Sequence, residues 1–209
     1  MVARPAGLLR LRVHVYCLLD LFTPKGCFMK MLWLCALALA WTCGARAADD
    51  DAATKIKLTV GQMAPDFSIP STAGGNATLA DYNGDWLVLC FYAKSFTPGP
   101  AKEVAALRDD YARITKMGAV VLCASRDELE TQKKFKTENK LPFELLADTE
   151  KTLATAYDVI GFGGLYQRRS FLIDPKGKIA HIFYGVTVNK HGEEVVDALR
   201  KIQAEAAGP

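Results

Sequence analysis

The residues best placed to do chemistry lie at a strand-to-helix corner that runs from Phe91 to Glu103, with the sequence FYAKSFTPGPAKE. An apolar strand pattern leads into this corner, a turn with two prolines and a glycine forms it, and an amphipathic helix follows. A helix N-terminus offers free backbone N–H groups and the positive end of the helix dipole, which favour a reactive anion such as a thiolate. The corner therefore has the architecture of a redox site, yet it contains no cysteine.

Two cysteines are the candidate thiols, because the other four precede residue 48 in a segment that we predict to be removed. Cys90 and Cys123 both lie in apolar strand patterns, where a cysteine is commonly an inert small hydrophobe. Cys123 is the better candidate for redox chemistry, since it lies near the C-terminal end of its strand, the edge at which α/β sites form. A disulfide between the two would need neighbouring strands to bring both residues to one point, and we do not expect one.

Polar side chains at the corner and beyond offer other chemistry. Thr97 is a nucleophile only beside a base that the sequence does not identify, and we expect it to cap the following helix. Arg168 and Arg169 either bind an anion or a polar ligand at the corner, or one faces solvent while the other pairs with an acid. His181 and His191 are far apart in the sequence with no cysteine or carboxylate cluster nearby, so we predict no metal site.

The first 47 residues have the pattern of a leader. Residues 29–47 combine a lysine, an apolar run and the small-x-small site Ala45-Arg46-Ala47, which is typical of a secretory signal peptide. The apolar run from Met31 to Cys43 is shorter than the ~20 residues that a bilayer span needs, so we expect cleavage rather than an uncleaved anchor. Residues 1–28 fit no signal-peptide pattern, and we expect translation to begin at Met29 or Met31. The predicted protein is exported, either to the periplasm or by secretion.

The remaining chain predicts one α/β domain. Residues 48–57 are charged and small and predict a flexible lead-in, and residues 58–206 carry the pattern β-α-β-α-β-α-β-β-α after a hairpin or short strands. Parallel β-α units that end in a hairpin around residues 174–177 indicate a three-layer α/β sandwich with a mixed central sheet. We predict one helix from about Pro100 to Lys116 and Asp127 as the N-cap of the next helix.

Composition limits the partners of this domain. Half of the residues are apolar, enough for a hydrophobic core. The formal net charge is only +3 and the basic residues are scattered, so we expect no nucleic-acid partner. The sequence leaves the oligomeric state open.

Four segments together resemble a known family. They are the stretch DFSIPSTAGGNATLADYNGDWLVLCFYAKSFTPGPAKE, the strand and following acidic helix VVLCASRDELETQKKF, the strand LPFELLAD, and RRSFLIDPKGKI. In this order they are similar to the peroxiredoxins of the alkyl hydroperoxide reductase/thiol-specific antioxidant family, and most of all to the Q-type, or bacterioferritin-comigratory, branch. The resemblance covers residues 58–205. It implies a thioredoxin-like fold, in agreement with the order of the predicted elements.

The resemblance also implies which residues form the site. In that family the corner reads Pro-x-x-x-Thr-x-x-Cys, and the cysteine thiolate attacks peroxide. The family's threonine corresponds to Thr97, its helix glutamate to Glu103, and its active-site arginine to Arg168. These three positions therefore match the family pattern.

The sulfur positions of the family pattern do not match. The nucleophilic cysteine falls on Pro100, the first proline falls on Ala93, and the second cysteine of some Q-type members falls on Ala105. The Cys-x-x-Cys of exported thiol–disulfide oxidoreductases would fall on Thr97 and Pro100, so that resemblance fails at the same place. Proline has neither a thiol nor a backbone N–H, but it is well accepted in a first helical turn. The substitution is expected to preserve the fold and to remove the reaction.

Three functional hypotheses follow. The first is an exported peroxiredoxin-like protein with weak or no peroxidase activity, whose family reaction is the reduction of hydroperoxides by a thiol reductant. The second is a non-catalytic module that holds a small polar ligand or a partner protein at Thr97, Pro100 and Arg168. The third is atypical thiol chemistry at Cys123. None of them implies a cofactor.

Overall fold

The computed structural model of the protein describes residues 57–207. The predicted leader, its cleavage site and most of the lead-in lie outside these residues. The strands are β1 Ser68–Pro70, β2 Asn76–Thr78, β3 Trp86–Phe91, β4 Ala119–Ser125, β5 Glu144–Ala147, β6 Arg169–Ile173 and β7 Ile179–Phe183. The α-helices are α1 Pro98–Asp109, α2 Tyr111–Lys116, α3 Leu129–Glu138, α4 Thr152–Ala156 and α5 His191–Ala207, and short 3₁₀ turns occupy Leu79–Tyr82 and Phe162–Gly164.

The central sheet is mixed, as predicted. Its strand order is β5-β4-β3-β6-β7, with β3, β4 and β5 parallel and β6 and β7 antiparallel. The turn at residues 174–177 joins β6 to β7, because Asp174 accepts hydrogen bonds from the backbone of Lys176 and Lys178. Strands β1 and β2 form the separate antiparallel hairpin expected before the first core strand.

Strand β3 lies between two hydrophobic layers, which explains its continuous apolar run. Leu87, Leu89 and Phe91 face one core cluster, which includes residues of α4 and the N-terminal hairpin. Val88 and Cys90 face the other cluster, which is built from α1, α2, α3 and α5. Side chains alternate between faces because successive residues of a strand point to opposite sides. The helices cover both faces of the sheet, so the predicted three-layer architecture is confirmed.

The predicted helix from Pro100 to Lys116 is two helices in the structure. Asp110 adopts φ −95° and ψ 2°, outside the helical range, and separates α1 from α2. Its side chain accepts a hydrogen bond from Arg113, 2.6 Å away, which supports the local turn. The apolar stripe of the predicted helix nevertheless continues across the break, since Leu107 and Ile114 are both fully buried.

One of the two predicted N-caps has the right position but makes no capping hydrogen bond, and the other lies one residue before the observed N-cap. Thr97 stands at the N-cap position of α1, but its hydroxyl donates to the Lys94 carbonyl at 2.8 Å and accepts no helix N–H. A capping side chain accepts from the second or third helical N–H; the third residue here, Pro100, has none, and the Thr97 hydroxyl makes no capping hydrogen bond to the second, Gly99. The residue at the N-cap of α3 is Glu128, because the Asp127 side chain is engaged elsewhere.

No helix within residues 57–207 is long and apolar enough to cross a membrane.

Candidate functional site

The corner between β3 and α1 rests on a buried polar network. Tyr92 directly follows β3 and is fully buried, and its hydroxyl lies 3.2 Å from both the Ser95 hydroxyl and the Gln132 side-chain oxygen. The Ser95 backbone N–H donates to Asp127 at 2.6 Å, and the Ser125 hydroxyl donates to the same carboxylate oxygen at 2.9 Å. Asp127 thereby connects the corner to the end of β4. These hydrogen bonds to buried residues stabilise the conformation of the corner.

Phe96 occupies a strained position in this corner. Its φ is 58°, in the left-handed region that a bulky L-residue rarely adopts. The ring packs edge-on against Phe135 with centroids 5.1 Å apart, and the Lys134 ammonium lies 5.8 Å from the ring centroid. Such a conformation costs on the order of 1–3 kcal/mol and persists only where the surroundings impose it. The aromatic contact and the network around Ser95 supply that constraint.

The first turn of α1 has few backbone donors left for a ligand. Pro98 and Pro100 carry no N–H, and the first intrahelical hydrogen bond runs from Ala101 to the Thr97 carbonyl at 3.1 Å. Among the first three helical residues, only Gly99 keeps an N–H. Anion binding at a helix start depends on several such donors together with the dipole. The two prolines therefore weaken this corner as an anion site.

Arg168 lies directly on this helical turn. A Cβ added to Gly99 would overlap with the Arg168 guanidinium, so the two are in close contact and any side chain at this position would make the arginine shift. The Arg168 Nε lies 3.6 Å from Glu103 Oε2, and 39 % of the arginine side chain is exposed. Within residues 57–207 the guanidinium makes an ion pair with Glu103 but no hydrogen bond. Arg168 thus faces both an acid and solvent, and most of its donors are unused.

Arg169 is fully engaged on the other side of β6. It donates to the Asp158 carbonyl at 2.7 Å, lies 3.8 Å from the Asp158 carboxylate and stacks over Tyr184 at 5.4 Å. It lines a pocket together with Tyr157 and Tyr184, away from the corner. The expectation that one of the two arginines faces solvent and the other pairs with an acid is therefore only partly right, because both arginines have an acidic neighbour.

Glu103 is the fully buried carboxyl of the site. Its side chain is 0 % exposed, and Oε1 accepts a hydrogen bond from the Cys90 thiol at 3.2 Å. Burial raises the pKa of the Glu103 carboxyl to about 7, and the Cys90 hydrogen bond and the Arg168 charge lower it only in part. Oε2 is the one buried side-chain oxygen or nitrogen without a hydrogen-bond partner among the described residues.

His191 joins this buried group, which corrects the reasoning that it has no cysteine or carboxylate nearby. Ligand-type atoms of Cys90, Glu103 and His191 all lie within 4.8 Å of one another, and all three residues are buried. The imidazole Nε2 is 2.8 Å from the Ser170 hydroxyl, and Nδ1 is 3.3 Å from Glu194 Oε2. No sequence pattern indicates this cluster, because its members come from β3, α1 and α5 and meet only where those elements pack.

The two cysteines lie side by side, but the preference for Cys123 over Cys90 is not supported. The residues are directly opposite each other in the parallel register of β3 and β4, and both are free thiols with no exposure. We expected no disulfide because neighbouring strands would have to bring both cysteines to one point. The strands do bring them together, and both remain free thiols. Cys90, not Cys123, contacts Glu103. The pKa of the Cys90 thiol is raised well above its usual value, first by its interaction with Cys123 and then by burial.

Comparison with known proteins identifies the scaffold. The model of the AhpC/TSA family matches residues 60–182. The chain belongs to the AhpC/TSA family. A putative peroxiredoxin Bcp of Coxiella burnetii is 38 % identical over 151 residues, which cover 69 % of this chain and 100 % of the relative. Peroxiredoxin Bcp of Bacillus subtilis is 37 % identical, covering 68 % of this chain and 96 % of the relative.

Solved peroxiredoxin structures share the fold. The bacterioferritin comigratory protein of Xanthomonas campestris, which has alkyl peroxide reduction activity, is 30 % identical with a TM-score of 0.62, covering 65 % of this chain and 90 % of that one. A mutant of Xylella fastidiosa PrxQ is 30 % identical with a TM-score of 0.65, covering 71 % and 98 % of the two chains. This peroxiredoxin-family chain therefore has the thioredoxin-like fold that its sequence predicts.

Proposed function

We propose that this chain is an exported peroxiredoxin-like protein with weak or no peroxidase activity, because Pro100 stands at the position of the nucleophilic cysteine. The observation that supports this proposal is which residues form the corner. Pro98, Gly99 and Pro100 form the first helical turn beneath Arg168, and no sulfur lies in that turn. Arg168, which the resemblance matches to the family's active-site arginine, contacts this turn at Gly99, and the turn contains no thiol that it could activate.

Neither remaining thiol is a good replacement. The family reaction needs a thiolate, because the thiolate is the form that attacks peroxide. Cys90 and Cys123 are both completely buried, and the raised pKa of Cys90 keeps it a neutral thiol at neutral pH. Peroxide would have to enter the core and meet an unactivated sulfur. Turnover at these residues is therefore expected to be slow.

Peroxide consumption tests the proposal. Purified protein is mixed with hydrogen peroxide or an alkyl hydroperoxide and dithiothreitol, and the loss of peroxide is compared with that in dithiothreitol alone. We expect no increase for the wild-type chain. Pro100→Cys is expected to gain turnover, since it places a thiol beside Arg168 at the start of α1, and Pro100→Ser is the matched control without sulfur. Wild-type turnover comparable with that of an active peroxiredoxin would refute the proposal.

The same assay separates the third hypothesis from the first. If wild-type turnover is measurable, Cys123→Ser removes it when Cys123 is the reactive thiol. Cys90→Ser removes it when the thiol beside Glu103 reacts instead. Turnover that survives both substitutions would exclude chemistry at either strand cysteine.

The second candidate function is binding of a small anion or polar ligand by Arg168. It is favoured by the partly exposed guanidinium, which makes no hydrogen bond within residues 57–207. A guanidinium binds carboxylates and phosphates through two parallel hydrogen bonds. Titration calorimetry with acetate and with inorganic phosphate tests this function. Arg168→Gln should abolish binding and Lys94→Gln, which changes an exposed lysine of the same corner, should not; equal binding by both variants would refute it.

Export is the part of the proposal that rests on residues 29–47 alone. Expression of the full chain in a bacterial host with a periplasm, followed by N-terminal sequencing, tests it. We expect a product in the periplasm that begins at Ala48. A cytoplasmic product that retains residues 29–47 would contradict export.

A further inference from the structure

The buried cluster of Cys90, Glu103 and His191 has the donor set of a transition-metal site. It offers one sulfur, one carboxylate oxygen and one imidazole nitrogen, from β3, α1 and α5 respectively. Zn²⁺ is bound in proteins by these three ligand types. The proposed function uses neither Cys90 nor His191, and the cluster shares only Glu103 with the corner.

The spacing of the three ligand-type atoms fits one metal ion after a small adjustment. Bond lengths of about 2.0–2.3 Å in a tetrahedral zinc site place neighbouring ligand atoms about 3.3–3.8 Å apart. The Cys90 Sγ and Glu103 Oε1 atoms are already 3.2 Å apart, and none of the ligand-type atoms is more than 4.8 Å from another. A movement of the ligand atoms by about 1 Å, made by side-chain rotation, would bring all three within bonding distance of one ion.

The electrostatic environment also fits a divalent cation. A thiolate at Cys90 and a carboxylate at Glu103 together carry two negative charges, which neutralise one divalent ion when His191 binds as the neutral imidazole. A neutral cluster avoids the large cost of burying a net charge. Arg168 lies outside the cluster with 39 % of its side chain exposed, so its guanidinium can turn toward solvent.

The surroundings of His191 orient the ring for metal binding. Its Nδ1 lies 3.3 Å from Glu194 Oε2, an arrangement in which the ring donates to a carboxylate and presents Nε2 to the metal. Nε2 lies 2.8 Å from the Ser170 hydroxyl, which is the group that the metal would displace. Ser170 is the register partner of Cys90 across β3 and β6, so the hydroxyl and the thiol lie side by side.

We propose that Cys90, Glu103 and His191 bind one Zn²⁺ ion in the core layer between the sheet and helices α1 and α5. Glu194 is a positioning residue that orients the His191 ring, and Cys123 is a neighbour of the site without being a ligand.

Cobalt substitution tests the proposal in the wild-type chain. Protein stripped with a chelator is titrated with Co²⁺, and the charge-transfer absorption of a Co²⁺–thiolate bond is recorded together with the visible bands of tetrahedral cobalt. We expect both signals to saturate at one ion per chain and to disappear when Zn²⁺ is added. A wild-type protein that shows neither signal and takes up no Zn²⁺ in competition with a chromophoric chelator would overturn the proposal.

Variants identify the ligands. Cys90→Ser is nearly isosteric and should lose the charge-transfer band, and Glu194→Gln should lower Zn²⁺ affinity about 10–100-fold, as the loss of an outer hydrogen-bond partner of a ligating histidine does. Cys123→Ser and His181→Asn are matched controls that should keep the band, with circular dichroism confirming the fold of each variant. A band that survives Cys90→Ser and is lost in Cys123→Ser would overturn the assigned ligand set.

Discussion

Helix α5 approaches α1 so closely at Gly192 that any side chain there should separate the two helices. A Cβ added to Gly192 would overlap with the Ala106 carbonyl oxygen and would lie 2.7 Å from Asp110 Cβ. Ordinary contacts between carbon atoms are about 3.5–4.0 Å. Gly192→Ala must therefore move the start of α5 by about 1 Å, and His191, the adjacent residue, moves with it.

Two opposing effects determine how much Gly192→Ala changes the free energy of unfolding. Alanine gains up to about 1 kcal/mol over glycine in helix propensity, and less in a first turn. Overpacking against backbone atoms costs typically about 1–3 kcal/mol, because the Ala106 carbonyl cannot rotate away as a flexible side chain can. The overlap is with backbone and with a Cβ atom, so we expect the cost to exceed the gain. The predicted net loss in free energy of unfolding is about 1–2 kcal/mol.

Urea denaturation of Gly192→Ala and wild type measures this loss. For a domain of this size it corresponds to a fall in Tm of about 2–4 °C for each kcal/mol. Gly185→Ala is the matched control, since a Cβ at Gly185 meets no atom within 4 Å and its φ is not in the left-handed region. The control should be neutral or slightly stabilising. A Gly192→Ala protein as stable as the control would refute the close packing of α1 and α5.

Three further substitutions test polar contacts at the corner and at strand β5. Asp127→Ala should lower the free energy of unfolding by about 2 kcal/mol in urea denaturation and make the corner more sensitive to proteolysis, because the Ser95 N–H loses its charged acceptor; unchanged proteolysis would contradict this. Burial raises the pKa of Glu144, but its hydrogen bonds and the charge of Lys136 2.6 Å away outweigh burial and lower it overall. The Glu144–Lys136 pair therefore stabilises the fold fully above the pKa that Glu144 has in the unfolded chain, and this stability is lost as the pH falls through its lower folded pKa. Glu144→Gln should lower the free energy of unfolding by about 1 kcal/mol at pH 7 and by nothing measurable at pH 2. An equal cost at both pH values would contradict the ion pair. Gln132→Leu should cost about 1–3 kcal/mol, because it leaves a buried carbonyl of β5 without its amide donor, while the buried Tyr92 hydroxyl keeps Ser95 as a partner; near-native stability in thermal unfolding would contradict this.

The pattern of apolar and turn residues along the chain was sufficient to predict the three-layer architecture of the fold. The apolar run from Trp86 to Tyr92 and the turn at residues 174–177 are local signals, and the structure places a buried central strand over Trp86–Phe91 and a hairpin at the turn. Local patterns were less reliable for helix boundaries. Asp110 interrupts the predicted long helix, because a polar side chain that can bind nearby groups competes with helical geometry. Thr97 stands at the predicted N-cap position but makes no capping hydrogen bond, because its hydroxyl donates to the Lys94 carbonyl and Pro100 offers no N–H to accept.

The sequence by itself determined the family, the α/β architecture and the lack of a thiol at the corner, because each of these depends on residue identity and spacing along the chain. Only the tertiary structure decided that Arg168 rests on Gly99, that Cys90 rather than Cys123 contacts Glu103, and that His191 completes a buried cluster. Residues 90, 103 and 191 belong to three different elements. Their meeting depends on how two helices pack on one face of a sheet, which no local periodicity encodes.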